Sequence, residues 1–408
     1  MVTEIKKALE PYFSSDETEL NNSILDLVDQ ICNEQIEPYA QEMDKTGVKL
    51  VDGKTVIPDQ MRKIIDTFRK NDIFGIAAPE EYGGAGLSQA LYNAVLERVS
   101  RADASVAIYF ALQGALIDYL LHYGISEQKE KYLPALAKGE RLAGFLYTEP
   151  SSGSDLGSVK TKAVKEGDKY ILNGQKLFIS NAGIADTYAL LVSTDPSKGS
   201  RGLSAFIFDA RDQPGFTVSR LEEKMGLHAS PTGAINFDNC TVPVKNRFGE
   251  ENKGFSIILW GLSASRIGIA AQAVGIADAA YRTGLKYSAE RKQFGTKIVD
   301  FQNSQFKIAD MATKISVARN YYIHASRIKE QGKDFFKEAS IAKYYASEMS
   351  SQVCYDALQM HGGYGFVKDY QVERYYRNAR ITTIYEGTSE VQKLIISREE
   401  MNNLERMK

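Results

Sequence analysis

The chain has 408 residues, 43% hydrophobic and 25% charged, a globular composition too long for one ordinary core. With 50 basic and 52 acidic side chains its formal net charge is −2, which argues against a surface for nucleic acid or an anionic membrane. Cys32, Cys240 and Cys354 lie far apart and the four histidines lack metal-ligand spacing. That argues against a disulfide framework and a structural zinc site, and for a reducing compartment.

The opening "MVTEIKKALEPYFSSDETEL" mixes acids and bases. It lacks the apolar core of a signal peptide and the Arg-rich bias of a transit peptide. No run approaches the roughly 20 apolar residues of a membrane span, so a cytoplasmic protein is expected. Residues 1 to about 143 read mostly as helices. "LNNSILDLVDQICNEQIEPYAQEM" places Ile24, Leu27, Val28, Ile31 and Ile36 near one face. "AAPEEYGGAGLS" interrupts with Pro79 and three glycines. "SVAIYFALQGALIDYLL" is apolar almost all round, which predicts a buried helix.

Near residue 144 the pattern changes. "KYILNGQKLFIS" reads as two strands around an Asn173-Gly174 hairpin turn. "TYALLVSTD", "GLSAFIFDA", "FTVSRLEEK" and "GAINFDNCTVP" read as further short strands of a β domain ending near Gly254. Beyond it comes a long Ala-rich helix closed by Gly295, then two more helical segments that also end in glycine. The expected class is α+β: an N-terminal all-α domain (1–143), a middle β-barrel or sandwich domain (144–254) and a C-terminal four-helix bundle domain (255–408).

Neither GxGxxG after a strand nor GxxxxGK[ST] occurs, so a Rossmann site and a P-loop are not expected. Four stretches remain. "FLYTEPSSGSDLGS" (145–158) offers neutral donors at Thr148, Ser151, Ser152 and Ser154 around Gly153; it suits a diphosphate or a flavin edge, or is a solvated turn. In "ERKQFG" (290–295), Arg291 could pair with a phosphate beside a stacking Phe294. Alternatively, Arg291 and Lys292 complement a helix dipole. Arg266 lies among small and aliphatic residues and needs an anionic or polar partner, either a ligand or an internal salt bridge. Glu386 stands just before a helix that Ser389 and Gln392 would open as a capping box. It is either an acid placed for the helix dipole, or a general base whose pKa is raised by a partly apolar pocket.

In this order, "YTEPSSGSD", "NGQKLFISNAG", "ERKQFGTKIVDFQ", "QMHGGYGF" and "RNARITTIYEGTSEVQKLII" resemble the acyl-CoA dehydrogenase family over essentially the whole chain. The resemblance implies FAD, an acyl-CoA thioester substrate, electron-transferring flavoprotein as electron acceptor, and a helical domain, β domain and four-helix bundle, usually as a homotetramer. Glu386 would take the α-proton while the flavin receives the β-hydride. The Glu386 backbone N–H and a flavin ribityl hydroxyl would hold the thioester oxygen. Phe145, Tyr147, Thr148, Gly153 and Ser154 would line the flavin, and Phe178 and Ser180 would pack on its ring. Arg291, Gln293, Phe294, Gln302, Gln359, Gly362 and Gly363 would hold the adenosine diphosphate half across a subunit interface. Thr388 and Glu390 would reach the FAD from the helix mouth. Ser154, Ser263, Ser265, Arg266, Gly387 and Arg398 would meet the substrate.

Some members carry the base at the position where this chain has Ser265, and glutaryl-type members carry an arginine at about the position where it has Ala104. Phe178 stands where a tryptophan is common and Ser263 where an aspartate is common. The alternatives are a flavin oxidase or monooxygenase of the same fold, an acyl-carrier-protein dehydrogenase, or a non-enzymatic scaffold.

Overall fold

The computed structural model describes residues 2–406. The chain opens with helices α1 (Thr3–Leu9), α2 (Ser15–Ile31), α3 (Ala40–Thr46), α4 (Asp59–Lys70), α5 (Gln89–Ala102), α6 (Ala104–Tyr123) and α7 (Ser126–Ala137). A short hairpin of β1 (Lys49–Val51) and β2 (Lys54–Val56) lies between α3 and α4. Ser14 and Glu17 form a reciprocal capping box that starts α2. That helix buries Val28 and Ile31, with Ile36 buried just beyond its end, while Leu27 is left exposed. Asp103 caps α6 by accepting from Ser105 N at 2.7 Å and Val106 N at 3.1 Å.

The middle strands are β3 (Ala143–Leu146), β4 (Lys162–Glu166), β5 (Lys169–Ser180), β6 (Thr187–Ser193), β7 (Leu203–Asp209), β8 (Phe216–Leu221), β9 (Thr232–Pro243) and β10 (Arg247–Phe248). Their order is β10-β7-β6-β4-β5-β9-β8, with β3 parallel to β6 on its other pairing. The expected Asn173-Gly174 hairpin is not there. β5 runs straight through that pair and bulges against β9 between Leu172 and Gly174. The hairpin turn is Gly167-Asp168, between β4 and β5 and six residues earlier, where Gly167 takes φ +64°. Glycine first with positive φ suits a two-residue hairpin as well as Asn-Gly does, and Gly174 serves instead to let Thr161 pass close by.

After the strands come α8 (Gly254–Glu290), a hairpin of β11 (Lys292–Gln293) and β12 (Thr296–Lys297), then α9 (Gln302–Glu330), α10 (Phe336–His361), α11 (Val372–Ile381) and α12 (Ser389–Arg406). α8 ends at Glu290, ahead of the expected Gly295 cap. Phe294 and Gly295, both at positive φ, are the turn of the β11–β12 hairpin.

One apolar core spans the helices on both sides of the β domain, because α5 packs on α8 and α9. At Gly275 a Cβ would lie 2.3 Å from Glu97 O, so only glycine allows that approach. Buried Glu97 binds Arg319 at 2.6 Å and accepts from Tyr322 Oη at 2.6 Å, and Arg374 binds Asp103 at 2.6 Å. The helical halves are therefore stitched by ion pairs inside apolar packing. α6 and α8 are, by length and composition, long and apolar enough to cross a membrane, which corrects the expectation that no segment approaches a span; both are mostly buried in this core.

Candidate active site

Between α11 and α12 the backbone passes through Glu386 at φ +55° and Gly387 at φ +92°. A left-handed glutamate is strained and persists only where its surroundings hold it. Three side chains from different helices do so. Arg266 Nε donates to Glu386 O at 3.2 Å and Lys343 Nζ to Gly387 O at 2.7 Å. Gln392 Nε2 donates to Glu386 O at 3.3 Å and to Gly387 O at 2.8 Å. The expected Ser389–Gln392 capping box does not form. Gln392 turns back to the loop carbonyls, Ser389 Oγ donates to Glu348, and Thr388 is the cap, its Oγ1 accepting from Val391 N at 3.4 Å.

Ser265 Oγ donates to Glu386 Oε2 at 2.7 Å. Removal of water raises the Glu386 carboxyl above the ordinary carboxylate range, against the Ser265 hydrogen bond and the charges of Arg266 and Lys343, which pull it down. Burial lowers both cations in turn, Lys343 to about 8. Among the described residues, the Glu386 N–H meets no hydrogen-bond acceptor. A desolvated carboxylate next to an unused amide can take a proton from carbon and donate to an adjacent oxygen. Glu386, Ser265, Phe145 and Ser180 face a chamber of about 70 Å³, closed on the other side by α5 and α6.

The 147–154 loop is fixed rather than a free solvated turn. Buried Lys176 donates to Glu149 Oε1 at 2.7 Å and to Tyr147 O at 3.1 Å. Glu149 also accepts from Lys160 N and Thr161 N. Glu149 and Ser152 exchange backbone hydrogen bonds, while Gly153 and Ser154 stay exposed and Thr148 is half-buried. Two residues beyond Lys176, β5 loses register with β9 and Phe178 takes φ +58°. Its ring is 60% exposed, an aromatic face held out by a strained bulge.

The other expected cofactor residues gather elsewhere. Arg291, Gln293, Gln359, Gly362 and Gly363 border an open groove of about 820 Å³ between the β11–β12 hairpin and the end of α10. The Arg291 guanidinium sits 5.4 Å from the Tyr364 ring centre. Gln302 and Phe294 lie outside this lining, and Phe294, at the hairpin tip, is 96% exposed. The groove and the Glu386 chamber have no lining residue in common. Thr388 is half-buried and Glu390 exposed at the mouth of α12.

Of the expected substrate residues, Ser265, Arg266 and Gly387 converge on Glu386. Ser263 is buried; it donates to Leu259 O at 2.9 Å and accepts from Arg266 Nη1 at 3.2 Å. Arg398 is exposed on α12. Sequence reasoning missed Lys343, Lys176 and Glu149, common polar residues with no local signal whose partners lie elsewhere in the chain, and gave Gln392 a capping role in place of its hold on the loop carbonyls.

Residues 18–140, 144–240 and 252–401 match the family descriptions "Acyl-CoA dehydrogenase, N-terminal domain", "middle domain" and "C-terminal domain". The chain is 43% identical to the 3-(aryl)acrylate reductase of Clostridium sporogenes over 93% of its own length and 98% of the relative's. It is also 43% identical to the caffeyl-CoA reductase-Etf complex subunit CarC of Acetobacterium woodii, over 82% and 89%. The solved structure of butyryl-CoA dehydrogenase from Megasphaera elsdenii superposes with a TM-score of 0.89 at 38% identity, covering 96% of this chain and 99% of that one.

Proposed function

This chain belongs to the acyl-CoA dehydrogenase family, and from that premise we propose that Glu386 is the base that removes the α-proton of an acyl-CoA thioester. The protein is an FAD-dependent oxidoreductase acting on CH–CH bonds. Its residues fit the cofactor: Phe178 offers an exposed aromatic face two residues before Ser180, which with Phe145 borders the chamber, and Arg291 borders an open groove where Gly362 and Gly363 leave the backbone uncovered. When bound, FAD supplies the acceptor for the hydride leaving the β-carbon.

The chain's own contribution is to hold and move a proton. Glu386 takes it at Oε1 or Oε2, with Ser265 orienting the carboxylate. The Glu386 N–H donates to the thioester oxygen as charge develops there. Arg266, Lys343 and Gln392 keep the loop in its left-handed turn, so carboxylate and amide face one substrate. The observation that carries the reading is the desolvated Glu386 carboxyl on a chamber shared with Phe145 and Ser180.

Three finer assignments belong to the same reading. Electron-transferring flavoprotein is the electron acceptor, supported by a relative that is a subunit of an Etf complex. The protein works as a cytoplasmic homotetramer, supported by the separation of groove and chamber in one chain and by the fully exposed Phe294, which suit a second copy completing the cofactor site. The reaction is dehydrogenation, although both curated relatives named above are reductases, and the same base can protonate the α-carbon in the reverse direction.

Anaerobic addition of saturated acyl-CoAs to the FAD-loaded protein tests this. Bleaching of the flavin absorbance by a subset of them is expected. Intact colour with every saturated ester, combined with reoxidation of the dithionite-reduced protein by enoyl-CoAs, assigns the reductase direction. Rapid oxygen uptake without any acceptor protein assigns an oxidase.

A further inference from the structure

The end of the Glu386 chamber remote from the base is polar. A smaller void of about 10 Å³ adjoins the chamber, and the residues bordering both, among them Gln89, Tyr92, Gly114 and Asp118, form the partition. Glu386, Ser265, Ser180 and Phe145 do not border the smaller void, so the partition is the far wall. Tyr92 closes it. Its ring stacks on Phe110 at 4.5 Å, its hydroxyl donates to Phe110 O at 2.7 Å, and a Cβ on Gly114 would lie 2.1 Å from that hydroxyl. At about 10–15 Å³ for each water-sized group, the 70 Å³ chamber takes about five non-hydrogen atoms.

Gln89 on this wall, and Asn93 and Lys329 elsewhere on the chamber lining, have unused hydrogen-bonding capacity. Lys329 Nζ donates to Asp118 Oδ2 at 2.6 Å and keeps two further donors. Asn93 Nδ2 donates to Ser326 Oγ at 2.9 Å, and its Oδ1 accepts no hydrogen bond among the described residues. The Gln89 side-chain amide likewise has no partner among the described residues. An alkyl terminus against this wall would displace water and leave these groups unpaired, which is costly, whereas a terminal oxygen would pair with them. Lys329 and Asp118 together are neutral, so the wall suits an uncharged oxygen rather than a carboxylate.

We infer that the chamber is built for a short acyl thioester whose far end carries an uncharged hydrogen-bonding oxygen, recognised by Lys329, Asn93 and Gln89. The inference rests on the proposed acyl-CoA reaction at Glu386.

The test is calorimetric titration of FAD-loaded Glu386→Gln protein, which binds without turnover, with pentanoyl-CoA and γ-hydroxybutyryl-CoA, acyl groups of equal heavy-atom count. Succinyl-CoA supplies the charged comparison. The hydroxyacyl ester is expected to bind about tenfold tighter than the alkyl ester, the worth of one good buried hydrogen bond. Asp118→Asn with Lys329→Met, which removes both charges so that neither is stranded, should erase most of that difference. Gln89→Leu, a milder change, should reduce it. Equal or tighter binding of the alkyl ester in the parent overturns the inference alone, and so does a preference for succinyl-CoA. Failure of all three esters to bind, while longer acyl-CoAs still bleach the parent flavin, overturns the inference and leaves the proposed reaction standing; failure of every acyl-CoA to bind overturns both.

Discussion

Ser265 and Glu386 stand 121 residues apart in the chain, yet the serine hydroxyl donates to the glutamate carboxylate at 2.7 Å. The family resemblance places an alternative base at the Ser265 position, and the structure puts that position against the carboxylate itself. A carboxylate on either element would reach the same point in the chamber. Here one element carries the acid and the other its hydrogen-bond donor.

That donor sets the acid's pKa. Desolvation holds the Glu386 carboxyl above its ordinary range, and the Ser265 hydrogen bond is the largest opposing influence. Ser265→Ala removes it, so the carboxyl moves further up. The base works ionised, so the acidic limb of the kcat/KM profile should shift to higher pH, by about one unit for a hydrogen bond worth roughly 1.5 kcal/mol. The plateau at higher pH should change much less. An unmoved acidic limb would show that the limb reports a different group.

Lys343 is buried and donates to Gly387 O at 2.7 Å without bordering the chamber. We therefore expect it to act as a positioning residue. Lys343→Met should lower kcat about tenfold, as a misplaced base does, while KM changes little. Burial also lowers its ammonium to about 8 from an ordinary 10.5. Across that window the unfolded chain binds the extra proton, so the residue contributes stability that grows as pH rises and is lost as pH falls through about 8. The stability of the parent relative to Lys343→Met should therefore rise between those two values in denaturant titrations.

Lys176 and Glu149 form a fully enclosed ion pair beneath the 147–154 loop, at 2.7 Å with side-chain exposures of 0% and 4%. Removing one partner strands a buried charge. Lys176→Met should destabilise the fold by about 3–5 kcal/mol, read by denaturant unfolding. FAD retention on gel filtration should fall as well, because Lys176 also donates to Tyr147 O.

Gly114→Ala would drive a methyl group into Tyr92, with a predicted Cβ-to-Oη approach of 2.1 Å. Relief requires Tyr92 to move, at about 1–3 kcal/mol of stability. The acyl-length profile should change with little effect on the pH profile. Unchanged preference among straight-chain esters would contradict the assignment of Tyr92 as the chamber's end.

Much of the architecture is legible in the sequence, because periodicity changes sharply near Ala143 and again near Gly254, where strands begin and end. Boundaries set by a single glycine were less legible. Gly295 and Gly174 look like a helix cap and a hairpin turn, but positive φ is also needed in the β11–β12 turn and beside a close strand crossing. Glu386 was legible because its flanking aromatic, glycine and hydroxyl residues form a local pattern. Its supports were not. Lys343 sits in a helix where lysine is ordinary, Arg266 and Ser265 are over a hundred positions away, and what joins them to Glu386 is tertiary packing. The exposed Phe178 was placed by resemblance, and its left-handed backbone has no sequence mark, since phenylalanine rarely adopts it.

The most direct measurement is the anaerobic reductive half-reaction of Glu386→Gln by stopped-flow, alongside calorimetric binding of the same acyl-CoA. The account predicts binding close to that of the parent and flavin reduction slower by about 10²–10⁴-fold or more, the contribution of a positioned base. Reduction of the Gln variant at a rate near the parent's, with binding intact, would show that the α-proton leaves by another route.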